Sequence, residues 1–245
     1  MTVMAILPAR YASTRFPGKP LVPIAGRPMI QHVWERTRAA KRVDAVVVAT
    51  DDERIRDACE AFGAEVEMTS SDHPTGTDRL AEVASRHDHD VIVNVQGDEP
   101  LIEGFVIDAA VDALLADATA SMSTIVHRAD LQCLDDPNRV KVVVDANGMA
   151  LYFSRAPIPY PRKETGIAPL QHVGLYTYRR NFLLELVTWA RTPAERSEEL
   201  EQLRAMENGH RIRVAEIDGW TSVPVDVPED VAVVEAALAA SQGRR

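Results

Sequence analysis

Arg10, Arg15 and Lys19 stand in PARYASTRFPGKP, residues 8–20, directly behind the apolar run VMAIL. Cations cannot be buried unpaired, and long ones tethered between Pro8, Pro17 and Pro20 at the end of a buried strand are preorganised for an anion. The spacing therefore predicts a phosphate-holding loop, with backbone N–H groups assisting the side chains. It is not an ATPase phosphate loop, because Pro20 follows Gly18 and Lys19 and no glycine lies five residues before Gly18. It also lacks the three spaced glycines of a dinucleotide loop. The competing reading is a solvated basic surface loop.

Two acidic segments could complement such a loop. VNVQGDEP places Asp98 and Glu99 just past an apolar run, where open parallel sheets bind their ligands. Asp98 is the natural metal ligand there, and oxygen donors favour Mg²⁺, which needs few protein carboxylates. Asp226, in VPVDVPED, taken alone reads more readily as a helix N-cap. HPTGTDRLAE sets Thr75, Gly76, Thr77, Asp78 and Arg79 at a loop-to-helix junction whose backbone donors could meet a base or phosphate; a capped helix start explains it almost as well. Further on come Arg155 and Arg162 in SRAPIPYPR, His172 in HVGLYTY, and Glu201 with Gln202 in ELEQLR. Singly these read as loop cations, a half-buried strand histidine and a polar helix face. Together they suit a polyhydroxylated carboxylate.

The charge balance bounds the ligand. Residues 1–42 hold eight Lys or Arg against one acid, Glu35, whereas the remainder holds 19 against 36. A focused positive patch on an acidic protein draws a small polyphosphate into a cleft, whereas duplex binding uses a broad basic face. The expectation is a nucleotide and no nucleic acid. With 245 residues and 46% hydrophobic content the chain can bury a large core. It carries no apolar run of the roughly 18–20 residues needed to cross a bilayer and no secretory flanks. A soluble, cytoplasmic protein with no membrane insertion is expected. Cys59 and Cys133 offer neither a disulfide framework nor a zinc pattern and read as core or surface thiols.

The elements that must position these residues alternate through the first half. Strands are predicted at 2–7, 44–49, 64–68 and 91–95, with helices behind Pro28, behind an Asp51 cap and over 77–87, the signature of a parallel sheet. Gly63 is expected to end the second helix. RVKVVV and MALYFS read as a hairpin turned at Asn147 and Gly148. HVGLYTY and RIRVAEI read as further strands, with helices at about 180–190 and 197–207. PEDVAVVEAALAA should pack back on the main sheet. The fold class is thus α/β, with a mostly parallel central sheet, and approximately 121–215 forms a smaller mixed antiparallel subdomain within a single domain over 1–245.

The ordered set PARYASTRFPGKPL, HPTGTDRLAE, VNVQGDEPLI, LYFSRAPIPYPR, HVGLYTYR, LEQLR and VDVPEDV resembles the 3-deoxy-manno-octulosonate (Kdo) cytidylyltransferases over nearly the whole chain. That resemblance implies a nucleotidyltransferase of glycosyltransferase-A-like architecture, CTP and Kdo as substrates, Mg²⁺ as cofactor, a homodimer and a role in lipopolysaccharide synthesis. It implies that the smaller subdomain binds the sugar and forms the dimer. Carried over by position, Arg10, Ser13, Arg15 and Lys19 fall on the nucleotide and triphosphate loop, Gly76 and Arg79 near the cytosine, and Gln96 close to the nucleotide. Asp98 and Asp226 match the magnesium carboxylates and, with Arg15 and Lys19, the catalytic set. Arg155, His172, Glu201 and Gln202 match the sugar pocket, with Tyr178 nearby. The alternatives are another sugar acid, sialic acid or 8-amino-Kdo, and a catalytically silent nucleotide-binding protein on the same fold.

Overall fold

The computed structural model describes residues 1–12, 16–163 and 166–242. The chain divides into two compact units, one of Met1–Asp108 with Ser222–Arg245 and one of Ala109–Thr221. Among the described residues no helix is long and apolar enough to cross a membrane.

The first unit opens with β1 (Val3–Ala9), a small antiparallel pair β2 (Pro23–Ile24) and β3 (Arg27–Pro28), and α1 (Met29–Arg38). Next come β4 (Ala45–Thr50), α2 (Glu53–Ala61), β5 (Glu65–Met68), α3 (Gly76–Ser85) and β6 (Val91–Asn94), and then α4 (Gly104–Ala116), within which the chain leaves the unit. The strands pair in the order β6-β1-β4-β5, all parallel, with Ile6 opposite both Val47 and Asn94. Val3 to Leu7 and Val91 to Asn94 are wholly buried, as strands covered on both faces must be, so they read as unbroken apolar runs instead of alternating ones. The carboxyl ends of β1 and β6 are neighbours, which brings the cationic loop and the Asp98 loop to the same edge.

One cap differs from expectation. Asp52, not Asp51, caps α2, accepting the Arg54 N–H at 2.9 Å from an extended backbone. Gly63, at φ +87°, follows that helix as predicted and takes the left-handed turn that a side chain would oppose.

The second unit holds β7 (Ala120–Arg128), β8 (Lys141–Val144), β9 (Ala150–Ser154), β10 (Leu170–Arg179), α5 (Arg180–Leu186), α6 (Pro193–Glu198), α7 (Gln202–Glu207) and β11 (Arg211–Glu216). β10 lies antiparallel between β7 and β8, β9 antiparallel to β8, and β11 parallel to β7. The hairpin between β8 and β9 forms, but its turn is organised by Asp145, whose carboxylate accepts the N–H groups of Asn147 and Met149, and Gly148 takes the left-handed conformation. The single helix expected at 197–207 is two. The Thr192 N–H donates to the Glu195 carboxylate at 3.2 Å where α6 starts early, and Glu199, at φ +52°, ends it. Glu195 then turns inward onto Arg204 of α7, a buried pair with contacts of 2.6 and 2.8 Å.

The chain returns to the first unit through α8 (Asp230–Gln242). Its Val234 and Leu238 join Ile24, Met29 and Val225 in one buried cluster, so the helix closes over the β2 and α1 layer. Cys59 and Cys133 are both buried and unpaired.

Candidate active site

In the first unit a cavity of about 360 Å³ opens at the carboxyl ends of β1 and β6, lined by Pro8, Arg10, Lys19, Gln96, Gly97 and Asp98 among others. Two glycines shape it. Gly18 sits at φ +71° against the Tyr11 ring, where a side-chain carbon would lie 3.1 Å from the ring, and its N–H closes the loop onto Tyr11 O at 2.9 Å. Lys19 therefore leaves the loop on a fixed turn. Gly97 lets the β6 loop pass close to β1, since a side-chain carbon there would stand 3.2 Å from the Pro8 carbonyl.

Three chain segments converge on Lys19. Its Nζ donates to Asp98 Oδ2 at 2.8 Å and to the Val225 carbonyl at 2.9 Å, and lies 3.7 Å from Asp226 Oδ1. The Val225 N–H donates to the Asp98 carbonyl at 2.9 Å, locking the two acidic segments backbone to backbone. Asp226 is thus not the cap of α8. Asp230 accepts the N–H groups of Asp226 and Val227 instead, which leaves the Asp226 carboxylate directed at the lysine. Behind them Glu99 is buried and receives the Ser222 hydroxyl. Burial, reinforced by the Asp98 and Asp226 carboxylates, pushes the Glu99 carboxyl up to about 8 against the opposing pull of Ser222 and Lys19, so at neutral pH it is mostly the uncharged acid.

The other predicted nucleotide residues take varied positions. Arg10 lies on the cavity wall with Nη1 donating to the Pro74 carbonyl at 3.4 Å and Nη2 buried without a partner among the described residues. Gln96 donates to Asn94 Oδ1 at 3.2 Å. Gly76 begins α3 behind a Thr75–Asp78 capping box and packs towards Pro8. Arg79 does not line the cavity and has no exposed surface. Ser13 and Arg15 lie outside the described residues.

The donor set fits Mg²⁺. Asp98 and Asp226 are partly exposed carboxylates that already share one cation, the lysine ammonium, and Mg²⁺ takes one or two carboxylates and fills its other positions with water and phosphate oxygens. Among the described residues no group of three or more His, Cys, Asp or Glu could form a closed metal cage.

The second unit gathers the residues expected to meet a sugar. His172 and Tyr176, on β10, lie with ring centroids 5.3 Å apart, and the Tyr176 hydroxyl donates to Gln202 Oε1 at 3.0 Å. The Glu201 carboxylate lies near enough to Tyr176 to add to the upward push that burial gives its phenol. Gln202 is buried, not on a polar helix face, and its Nε2 has no acceptor among the described residues. Arg155 is pinned by carbonyls: Nε donates to Glu198 O at 2.7 Å, Nη1 to Pro137 O at 2.9 Å and Nη2 to Glu199 O at 3.4 Å. Tyr178 is a core residue, 2% exposed and stacked on Phe182. Sequence reasoning missed Tyr176 and Glu198, which receives both the Ser154 hydroxyl and the Arg155 N–H. The alternation of His172, Gly174 and Tyr176 along one strand was the signal for the tyrosine; Glu198 had none.

The His172 imidazole supplies a pH test. Its Nε2 lies 3.0 Å from Thr124 Oγ1, whose own proton goes to the Leu175 carbonyl at 2.8 Å, so His172 is the donor and holds its proton on Nε2. Burial pushes its pKa from 6.5 down to about 3. The folded state therefore binds fewer protons than the unfolded one, and the neutral ring's stability contribution is complete above pH 6.5 and declines below it. Unfolding free energy should fall by about 2 kcal/mol from this group between neutral pH and pH 5. Denaturant titrations at both pH values should show His172→Gln lacking that share of the slope; equal slopes in variant and parent would refute the assignment.

A parallel α/β sheet whose carboxyl edge carries a cationic turn opposite two carboxylates defines a nucleotidyltransferase, and the chain belongs to the cytidylyltransferase family, whose model matches residues 4–212. Within that family its place is among the 3-deoxy-manno-octulosonate cytidylyltransferases. The one from Syntrophotalea carbinolica is 54% identical over 97% of this chain and 99% of its own length, and the one from Geobacter metallireducens 56% identical over 94% and 95%. A solved structure of CMP:2-keto-3-deoxy-manno-octonic acid synthetase complexed with CTP is 42% identical and superposes with a TM-score of 0.94 over 98% of this chain and 100% of that one. A cytidylyltransferase from Leptospira borgpetersenii, 20% identical, shares the fold at a TM-score of 0.67 over 98% of this chain and 87% of its own.

Proposed function

We propose that this enzyme activates Kdo with CTP, releasing pyrophosphate and giving CMP-Kdo for lipopolysaccharide synthesis. The observation that carries the reading is the meeting of Asp98 and Asp226 on Lys19 at the rim of a cavity that also holds Arg10 and Gln96. In the reaction the anomeric 2-hydroxyl oxygen of the sugar bonds to the α-phosphorus in line with the departing pyrophosphate oxygen, whose bond to phosphorus breaks. Such transfers are governed by alignment and charge stabilisation, so no covalent enzyme intermediate is needed.

Each residue has a physical task in this scheme. Arg10 and Gln96 hold the nucleotide against the ends of β1 and β6, and the start of α3 at Gly76 offers backbone donors beside them. Lys19 is a compact point charge on a rigid turn, suited to stabilise negative charge as it shifts to the leaving pyrophosphate; by the resemblance Arg15 and Ser13 serve the same triphosphate. Asp98 and Asp226 hold Mg²⁺, which when bound polarises the α-phosphate. In the second unit Arg155, His172, Glu201 and Gln202 bind the sugar acid, with Tyr176 fixing the Gln202 amide. The enzyme works in the cytoplasm as a homodimer, a reading supported by the family resemblance and by the exposed apolar side chains of Leu131, Leu151, Tyr160 and Ile167 in the second unit.

Pyrophosphate release tests the proposal. It should require CTP, Kdo and Mg²⁺ together, with CMP-Kdo as the product, and it should be much slower with sialic acid or 8-amino-Kdo. Release without a sugar acid, or equal rates across that panel, would contradict it.

A further inference from the structure

Asp51 stands at the carboxyl end of β4, and α2 leaves it unused by taking Asp52 as its cap. Its carboxylate lies 3.2 Å from Arg79 Nη2. Arg79 is fully buried; its Nη1 donates to the Thr69 hydroxyl, and neither Nε nor Nη2 makes a well-aligned hydrogen bond. A guanidinium so enclosed is tolerated only with a counter-charge, and Asp51 is the carboxylate that supplies it. Arg10 lies close by on the cavity wall. Burial depresses its pKa first, the charge of Arg79 depresses it further, and Asp51 and Asp78 oppose both. Among the described residues its one hydrogen bond, to the Pro74 carbonyl, is long at 3.4 Å, so contact alone holds the Arg10 fork weakly and the field around it sets its direction.

We propose that Asp51 is a positioning residue for nucleotide binding: its carboxylate fixes the buried Arg79, and the Asp51–Arg79 pair aims the Arg10 guanidinium into the cavity. The claim rests on that cavity being the CTP site. Arg79 then contributes from behind the wall, which accounts for a buried arginine so near a ligand cavity, and Thr69 is its second anchor. Replacing the carboxylate leaves two guanidiniums close together without their shared counter-charge. Arg10 turns away, and its contact with the nucleotide is lost.

The test is calorimetric binding of CTP with Mg²⁺ to the full-length protein, without sugar, in a double-mutant cycle. Asp51→Asn should raise the dissociation constant ~10-fold, and the same change in an Arg10→Ala background should raise it less than ~2-fold, because the effect travels through Arg10. Unchanged affinity in Asp51→Asn, whatever its melting temperature, overturns the inference, as do equal losses in both backgrounds. Should Asp51→Asn not fold, Thr69→Val removes the other anchor of Arg79 and must show the same dependence on Arg10; an effect independent of Arg10 overturns the inference again. A parent protein that does not bind CTP contradicts the nucleotide assignment itself. Normal binding by the parent together with an indifferent Asp51→Asn contradicts the role of Asp51 alone.

Discussion

Asp98→Asn should lower turnover at saturating CTP, Kdo and Mg²⁺ by at least ~100-fold while leaving the fold intact, the magnitude seen when a preorganised electrostatic contact is removed. The side chain is 31% exposed and the amide is nearly isosteric with the carboxylate. Lys19 keeps the Val225 carbonyl and Asp226 as partners, so no buried charge is stranded. The loss should fall on kcat, since the nucleotide retains Arg10, Gln96 and the α3 junction. Steady-state pyrophosphate release with circular dichroism on the same sample measures both halves of the expectation. A kcat within a few-fold of the parent removes Asp98 from the chemistry; a collapsed spectrum makes it a structural residue.

Lys19→Ala should reduce kcat/KM for CTP on the order of 30- to 150-fold, the range set by losing a charge-assisted hydrogen bond of roughly 2–3 kcal/mol. Lys19→Arg should not restore activity. The ammonium fits among a carboxylate oxygen at 2.8 Å, a carbonyl at 2.9 Å and a second carboxylate at 3.7 Å, a space for a compact point charge and not for a planar fork. Kinetics for the two variants over a range of CTP concentrations separate binding from turnover. Parental kcat/KM in either variant places the leaving-group charge elsewhere.

Much of this was legible in the sequence because strands buried on both faces leave unbroken apolar runs, and in a parallel sheet the loops at their carboxyl ends carry the chemistry. VMAIL and VIVNV announced β1 and β6, and the cations and acids behind them followed. What could not be read was which of two adjacent acids does which task. Asp51 and Asp52 are equivalent on paper; only the extended backbone of Asp52 lets it reach the Arg54 N–H, and that hands Asp51 to Arg79. Asp226 looked like a helix cap for the same reason, and Asp230 takes the local N–H groups instead. The break between α6 and α7 was hidden because it depends on a distant pairing, Glu195 with Arg204, that local propensity does not encode. Arg79 stands at a loop-to-helix junction and, by the resemblance, near the cytosine, yet its side chain runs inward, and helix position alone does not fix that direction. For the sugar set, the resemblance pointed to His172, Glu201 and Gln202; strand alternation puts Tyr176 on the face of His172, and only its bond to Gln202 had to wait for the fold.

The central claim, that Asp98 and Asp226 hold a divalent ion against a triphosphate gripped by the N-terminal loop, is tested most directly by the anomalous difference density of crystals grown with CTP and Mn²⁺ in place of Mg²⁺. The account predicts an ion bound by an oxygen of each aspartate and by a phosphate oxygen, with Lys19 on the phosphates. A nucleotide bound with its metal away from both aspartates would contradict it.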